Sequence, residues 1–295
     1  MTSHRLKFAI FGNVFQPKKS ASITRLLTCL SQNGAEVSMD SAFYDFIQRS
    51  GCSAQGVARV FDDGDFDADF VISMGGDGTF LKAAARVGTK QIPIVGVNMG
   101  RLGFLADVTP CDIEACIKAL HTGEFTIEDR GALTVEADGW EPAGPSCALN
   151  DVAILKRDDA SMISIRAEIN GECLTTYQAD GLIVSTPTGS TAYSLSNGGP
   201  IIVPGTPVFA ITAVAPHSLN TRPIVISDNS VVRLCVESRS HNFLIAIDGR
   251  SEKCAESVSI TLRKAPYKVR IVKRPGASYF DTLREKMMWG ADGRE

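Results

Sequence analysis

The chain has 295 residues, a formal net charge of −3 and an isoelectric point near 5.9, with 44% hydrophobic and 21% charged residues. That length suits two medium domains, and the charge excludes a nucleic-acid surface, because basic residues form nothing longer than pairs such as Lys18-Lys19, Arg263-Lys264 and Lys273-Arg274. Eight cysteines without a Cys-x-x-Cys pair point to free thiols in a cytoplasmic protein, and no apolar run is long enough to span a membrane.

The first third alternates strand and helix. An apolar strand is expected at 6–13, a helix at 22–32 closed by Asn33-Gly34, a short strand at 36–39 and a helix near Tyr44. A buried strand at 70–73, a helix at 80–87 stopped by Gly88 and a strand at 94–97 follow, as in a parallel sheet with crossovers. A helix at 112–121, with Thr109 as N-cap and Pro110 at its first position, closes this half. From Phe125 the pattern changes to short strands with hairpin signals, notably Asn170-Gly171 between strands 163–169 and 173–177, and Asp248-Gly249 after 243–247. Further strands are expected at 182–185, 209–214, 230–236, 258–262 and 268–272. A tail helix at 279–288 places Tyr279, Leu283 and Met287 on one face. The expected architecture is an α/β domain, 1–124 joined by the tail 275–295, and a mainly antiparallel β domain, 125–274.

Three segments carry chemistry. In Gly75-Gly76-Asp77-Gly78-Thr79, three glycines permit left-handed backbone and close approach to a ligand, and the following helix begins with N–H groups that favour an anion. Asp77 is the anomaly there, because a carboxylate repels a phosphate unless it takes a proton from an attacking hydroxyl. An ordinary strand-to-helix turn with Thr79 as N-cap fits the same residues. Between Asp180 and Pro200 lies a run dense in hydroxyls and glycines. Thr186, Thr188, Ser190 and Thr191 offer polar partners there and Tyr193 a ring for a base, whereas Ser190 capping a short helix is the plainer alternative. Asn150-Asp151 heads an apolar run and suits either sugar hydroxyls or a turn. His217 and Arg222 suit a phosphate or a structural loop. No Walker-type phosphate loop, His-Glu-x-x-His or Gly-x-Ser-x-Gly motif occurs, and the turn after Gly12 lacks the glycines of the dinucleotide fingerprint.

Taken together, Gly75 to Thr79, Asn98-Met-Gly-Arg-Leu-Gly-Phe104, Leu149-Asn-Asp151, the Gln178 to Tyr193 stretch and Pro216-His-Ser-Leu-Asn-Thr-Arg-Pro223 resemble the NAD kinase family in order and spacing. The Gly-Gly-Asp-Gly element is shared with lipid kinases; the Thr-Pro-Thr-Gly-Ser-Thr-Ala-Tyr193 stretch is what singles out NAD kinases. The resemblance implies an N-terminal α/β domain, a β-sandwich-like C-terminal domain and an active site in the crevice between them. It also implies a homodimer or homotetramer in which a neighbouring subunit can supply part of the site. The implied reaction is transfer of the γ-phosphoryl of ATP to the 2′-hydroxyl of the adenosine ribose of NAD, with Asp77 as base. Mg²⁺ or another divalent cation, the glycine-loop amides and Lys82 would neutralise the phosphates. By the same resemblance, Asn150 and Asp151 hold ribose or adenine groups and Asp180 the nicotinamide or a neighbouring polar edge. Thr191, Ala192, Tyr193, Ser194 and Ser196 line the adenosine pocket, and Thr188 is a further nucleotide-binding residue. The family more often has Asn-Glu where this chain has Asn150-Asp151, and Arg250 stands where a neutral amide is expected. The partners implied are small-molecule nucleotides. A lipid kinase and a non-catalytic dinucleotide-binding module are the rival functions.

Overall fold

The computed structural model describes residues 5–14, 20–100, 103–157, 161–276 and 278–289. Lys18-Lys19, most of the first strand-to-helix turn, and Arg101 and Leu102 of the second glycine-rich turn lie outside them. The chain forms two compact units, 1–129 with 269–295, and 130–268.

The first unit contains β1 (Lys7–Gly12), α1 (Ser20–Gln32), β2 (Glu36–Asp40), α2 (Ser41–Arg49), β3 (Val57–Phe61), β4 (Phe70–Gly75), α3 (Asp77–Val87), β5 (Ile94–Asn98) and α4 (Ile113–Thr122). The strands pair in parallel in the order β5-β4-β1-β2-β3. β4 and β5 are buried along their whole length, as strands covered on both faces must be. The apolar stripe Ile23, Leu26, Leu27 and Leu30 of α1 follows the helical repeat and packs with Phe8, Ile10 and Ile117 in one core. α3 buries Phe80, Ala83, Ala84 and Val87 at the same spacing.

Several expected elements change. α3 begins at Asp77, three residues before the expected start, so Thr79 lies inside the helix and Gly76 is the N-cap. α4 is preceded by a 3₁₀ turn, Pro110–Asp112, and Thr109 Oγ1 donates to Asp112 Oδ2 at 2.7 Å instead of capping an N–H. β3 gave no sequence signal because Ala58, Arg59 and Val60 are exposed at the sheet edge, where no alternation is required.

The second unit is entered through β6 (Thr126–Ala137) and contains β7 (Cys147–Ala148), β8 (Asp151–Leu155), β9 (Ile163–Ile169), β10 (Glu172–Ala179), β11 (Gly181–Ser185) and the short α5 (Tyr193–Ser196). There follow β12 (Val208–Val214), β13 (Ile224–Ser227), β14 (Val232–Glu237), β15 (Asn242–Ile247), β16 (Arg250–Ala255) and β17 (Ser259–Lys273), which carries the chain back into the first unit and α6 (Tyr279–Met287). One antiparallel sheet runs β13-β12-β11-β8-β15-β16, and another runs β10-β9-β14-β17. Ile154, Val184 and Ile245 from the first and Ile165, Leu234 and Leu262 from the second share one core, which makes this unit a sandwich.

The two hairpin turns take the conformations that their sequences demand. Asn170 and Gly171 have φ of 54° and 83°, and Asp248 and Gly249 have 47° and 78°, the primed-turn geometry that matches strand twist. The strands expected at 258–262 and 268–272 form the single β17. Its first part pairs with β14 and its end with β5, Ile271 opposite Ile94, and Pro266 falls between these stretches, where a missing N–H is tolerated. Beside β5, Asn98 N donates to Val108 O at 2.7 Å and Val108 N to Gly96 O at 3.0 Å. A Cβ on Gly96 would meet Ala106 Cα at 2.6 Å, so this glycine lets residues 105–108 lie against the strand and fixes the start of the segment used below.

Candidate active site

β4 runs to Gly75, Gly76 is extended (φ −106°, ψ −168°) and Asp77 is the first residue of α3. None of the three glycines has a positive φ, so the left-handed backbone expected here is absent and each glycine needs another reason. Gly75 has one within the fold, because a Cβ there would sit 2.2 Å from Thr79 Oγ1. At Gly76 and Gly78 a Cβ would meet nothing within 4 Å. Gly78 in a first helical turn costs about 1 kcal/mol relative to alanine, and the fold gains nothing from it. What both glycines leave is bare backbone at a helix N-terminus, where orphan N–H groups and the helix dipole favour an anion.

Asp77 is held from the other side. Its Oδ2 accepts from Phe104 N at 2.9 Å, and its Oδ1 from Leu105 N at 3.1 Å and Ala106 N at 3.2 Å. A Cβ on Gly103 would lie 2.0 Å from Oδ1, so that glycine is what admits the carboxylate. Asn98, itself buried, staples the same segment by accepting from Gly100 N at 2.7 Å and donating to Ala106 O at 3.3 Å. The fourth group on Asp77 is Lys286 of α6, whose Nζ is 3.4 Å from Oδ2 and 4.5 Å from the centre of the Phe104 ring. Lys82, the cation expected here, is exposed and lies five residues on, about 140° round the helix from Asp77. Nothing in the local sequence marks Lys286, which is separated from Asp77 by 209 residues.

In the second unit a different cluster forms where β11 and β15 end and β8 begins. Asp248, in the turn after β15, accepts from Leu149 N (2.8 Å), Asn150 N (2.8 Å) and Asp151 N (3.2 Å). The segment after β11 closes over Asn150. Thr186 N donates to Asn150 O at 2.9 Å, Thr186 Oγ1 to Leu149 O, and a Cβ on Gly189 would meet Asn150 O at 2.1 Å. Thr188 Oγ1 accepts from Arg130 Nη1 at 3.2 Å, and Ser194 Oγ meets Thr212 Oγ1 at 3.0 Å. Ser190 is fully buried and joins Pro187 O to Ile202 N (2.7 and 2.9 Å), so it ties the loop and caps no helix. Ser196 and Tyr193 are exposed, the ring at 40% of its surface, while Thr191 and Ala192 are half-buried.

Two groups in this cluster are under electrostatic stress. Asn150 Oδ1 is buried without a hydrogen-bond partner, which costs about 1–3 kcal/mol unless something supplies a donor. Asp151 is 7% exposed, and burial, followed by the neighbouring Asp248 carboxylate, pushes its pKa up to about 7. Burial also raises Asp248, while the three N–H groups and Arg250 act to lower it. Arg250 donates to Ile247 O (3.2 Å) and Pro145 O (2.9 Å), so it clamps the turn. Arg222 bonds the carbonyls of Leu219 and Thr221 within its own loop, and His217 N donates to Gln178 O of β10.

Asp180 stands apart from this cluster. It precedes β11, whose other end pairs Ser185 with Asp151, a separation of about 17 Å along the strand. There it pairs with Lys156 at 2.9 Å and lines an open cleft of about 780 Å³ with Gln178, Glu237 and Arg239.

A carboxylate fixed beside a bare helix N-terminus in one unit, and a hydroxyl-rich loop folded over a buried amide in the other, define a phosphotransferase with an alcohol acceptor. Residues 8–125 match the ATP-NAD kinase N-terminal domain and residues 149–274 the ATP-NAD kinase C-terminal domain. The NAD kinase of Bacteroides fragilis is 56% identical over 289 residues, covering 98% of this chain and 100% of that one, and the NAD kinase of Porphyromonas gingivalis is 45% identical over 97% and 98%. The chain belongs to the NAD kinase family. Among solved structures, an Archaeoglobus fulgidus NAD kinase in complex with ATP superposes with a TM-score of 0.75 at 25% identity, over 96% of this chain and 99% of that one. A yeast NADH kinase complexed with NADH shares the fold with a TM-score of 0.87 at 22% identity, over 98% and 89%.

Two outcomes follow from this geometry. Gly78→Ala should unfold at equal or higher denaturant, a gain of up to about 1 kcal/mol, while calorimetry shows weaker nucleotide binding; unimpaired binding would mean that the bare backbone serves no ligand. Asp151 binds its proton more tightly folded than unfolded, since its pKa rises from the ordinary 3.8 to about 7. Its contribution to stability is therefore complete below pH 4 and is lost as pH rises to 7. Between those limits Asp151→Asn should gain on the parent by up to roughly 4 kcal/mol in unfolding free energy, measured by urea denaturation at each pH. A pH-independent difference would contradict the burial of that charge.

Proposed function

We propose that the chain transfers the γ-phosphoryl group of ATP to the 2′-hydroxyl of the adenosine ribose of NAD, giving NADP and ADP. The observation that carries this is Asp77: a carboxylate immobilised by three backbone N–H groups beside a helix N-terminus where Gly76 and Gly78 leave bare backbone that no packing contact requires. A bond forms between the ribose oxygen and the γ-phosphorus, the bond from that phosphorus to the β,γ-bridging oxygen breaks, and the hydroxyl proton passes to Asp77. Because phosphoryl transfer is loose in its transition state, Asp77 chiefly orients the hydroxyl and receives its proton late.

The amides of Gly76, Asp77 and Gly78 serve the phosphates, with Gly75 and Thr79 shaping the turn. Asn150 and Asp151 take the ribose and adenine of NAD. A ligand donor to Asn150 Oδ1 removes its buried unpaired state, and Asp151, titrating near neutrality, donates to or accepts from a hydroxyl. Thr188 to Ser196 form the adenosine pocket, with the exposed Tyr193 ring as the stacking face. Arg250 acts by holding the Asp248 turn that fixes Asn150. Among the described residues no three His, Cys, Asp or Glu side chains gather as a metal cage, and the Asp77 oxygens are already engaged. The donor set does not fit a dedicated cation site; Mg²⁺ belongs with the ATP phosphates.

The separation of Asp180 from Asn150 supports a homo-oligomer in which Asp180 serves the NAD of a second copy. The eight free cysteines support the cytoplasm, and among the described residues no helix is long and apolar enough to cross a membrane.

Purified protein with ATP, Mg²⁺ and NAD should produce NADP, read by an NADP-specific dehydrogenase, and a lipid acceptor should remain unphosphorylated. NAD binding without NADP would instead identify a binding module. Asp77→Asn should retain NAD binding while turnover falls at least about 100-fold; unchanged turnover removes Asp77 from the base role. Mixing inactive Asp77→Asn and Asp180→Ala proteins under subunit exchange should restore part of the activity, and failure to complement would place Asp180 outside a shared site.

A further inference from the structure

An ionised carboxylate offers about four lone-pair positions. Those of Asp77 are all engaged, with Oδ1 taken by the amides of Leu105 and Ala106 and Oδ2 by the amide of Phe104 and the ammonium of Lys286. Three of the four donors are backbone groups in a segment stapled by Asn98 and fitted against Gly96, so they cannot step aside. The fourth is the longest contact, 3.4 Å, and comes from a flexible side chain about one-third exposed. A hydroxyl that must donate to Asp77 has only the position held by Lys286 to take.

With Asp77 as the base of the phosphoryl transfer proposed above, we infer that Lys286 occupies the acceptor's place on Asp77 in the free enzyme, yields it to the ribose hydroxyl and then meets the transferring phosphoryl group. Three features fit this exchange. The ammonium already rests over the Phe104 ring at 4.5 Å, so it keeps a favourable contact when it leaves the carboxylate. The vacated carboxylate is balanced by a hydrogen bond from the incoming hydroxyl, while the released cation faces new negative charge on the phosphoryl oxygens. Lys82, on the helix itself, lies about 140° round from Asp77, whereas the Lys286 ammonium is already in contact with that carboxylate. α6 is anchored independently through the buried Leu283 and the Ser278 N-cap, and Tyr279 packs against Phe104 with ring centres 6.1 Å apart. The tail can therefore hold its place without the Lys286 ammonium.

The test is Lys286→Met, which keeps the stem and removes the charge, beside Lys286→Arg. The methionine variant should melt with the parent and bind NAD equally or more tightly, because a competitor for Asp77 is gone, while kcat falls about 100-fold. The arginine variant should recover a large part of that loss. Turnover of Lys286→Met close to that of the parent overturns the inference, as does weaker NAD binding. A fall in melting temperature that tracks the loss of kcat, with no recovery in the arginine variant, assigns Lys286 a structural role and also overturns it. Absence of NADP formation by the parent protein would defeat the proposed function instead, and that result is distinct from any difference between parent and variant.

Discussion

Backbone N–H groups that leave a sheet need acceptors if they are to be buried, and in this chain two aspartates each gather three successive ones. Asp77 collects the amides of residues 104–106 in the first unit, and Asp248 those of 149–151 in the second. An unsatisfied buried donor costs about 1–3 kcal/mol, and each carboxylate removes that cost for three donors in one turn. In the first unit the proposed chemistry falls on the aspartate itself, and in the second on Asn150 and Asp151 of the turn it holds. The device fixes geometry before any nucleotide arrives, which is what phosphoryl transfer asks of a protein that contributes little covalent chemistry.

The glycines separate into two kinds on this view. Gly75, Gly96, Gly103 and Gly189 are there because a Cβ would strike Thr79, Ala106, Asp77 or Asn150. They let neighbouring segments close to hydrogen-bonding distance. Gly76 and Gly78 meet nothing and have no left-handed backbone, so the cost of Gly78 to helix α3 is unrelieved inside the molecule, and Gly76 leaves bare backbone at the N-cap. Residues that weaken the fold without local compensation are where function is expected to compensate.

The second unit carries a similar debt in electrostatic form. Asn150 has an unpaired buried oxygen, and Asp151 sits close to Asp248 in a buried environment that holds its proton on to about pH 7. Such stress at one place marks a candidate functional site. Burial comes first among the causes of the raised Asp151 pKa and the Asp248 carboxylate second.

The sequence by itself determined the elements whose causes are local. Asn170-Gly171 and Asp248-Gly249 require positive φ at both positions and made their hairpins readable, and the apolar spacing of Ile23, Leu26, Leu27 and Leu30 announced α1. Asp77 and the Thr186 to Ser196 run stood out in the sequence as candidates for chemistry, and the fold gives Thr186, Ser190 and Ser194 structural hydrogen bonds as well. Tertiary structure decided what depends on contacts distant in sequence. That Lys286 reaches Asp77 across 209 residues, that Asp248 holds Leu149 across 99, and that Asp180 stands at the far end of its strand from Asn150 have no local signature. β3 escaped notice because an exposed edge strand needs no alternation, and β17 read as two strands because Pro266 interrupts its pattern where the strand changes partners. Local backbone preference is written in neighbouring residues, whereas the partner of a buried carboxylate is chosen by how strands are stacked, and only the folded chain records that choice.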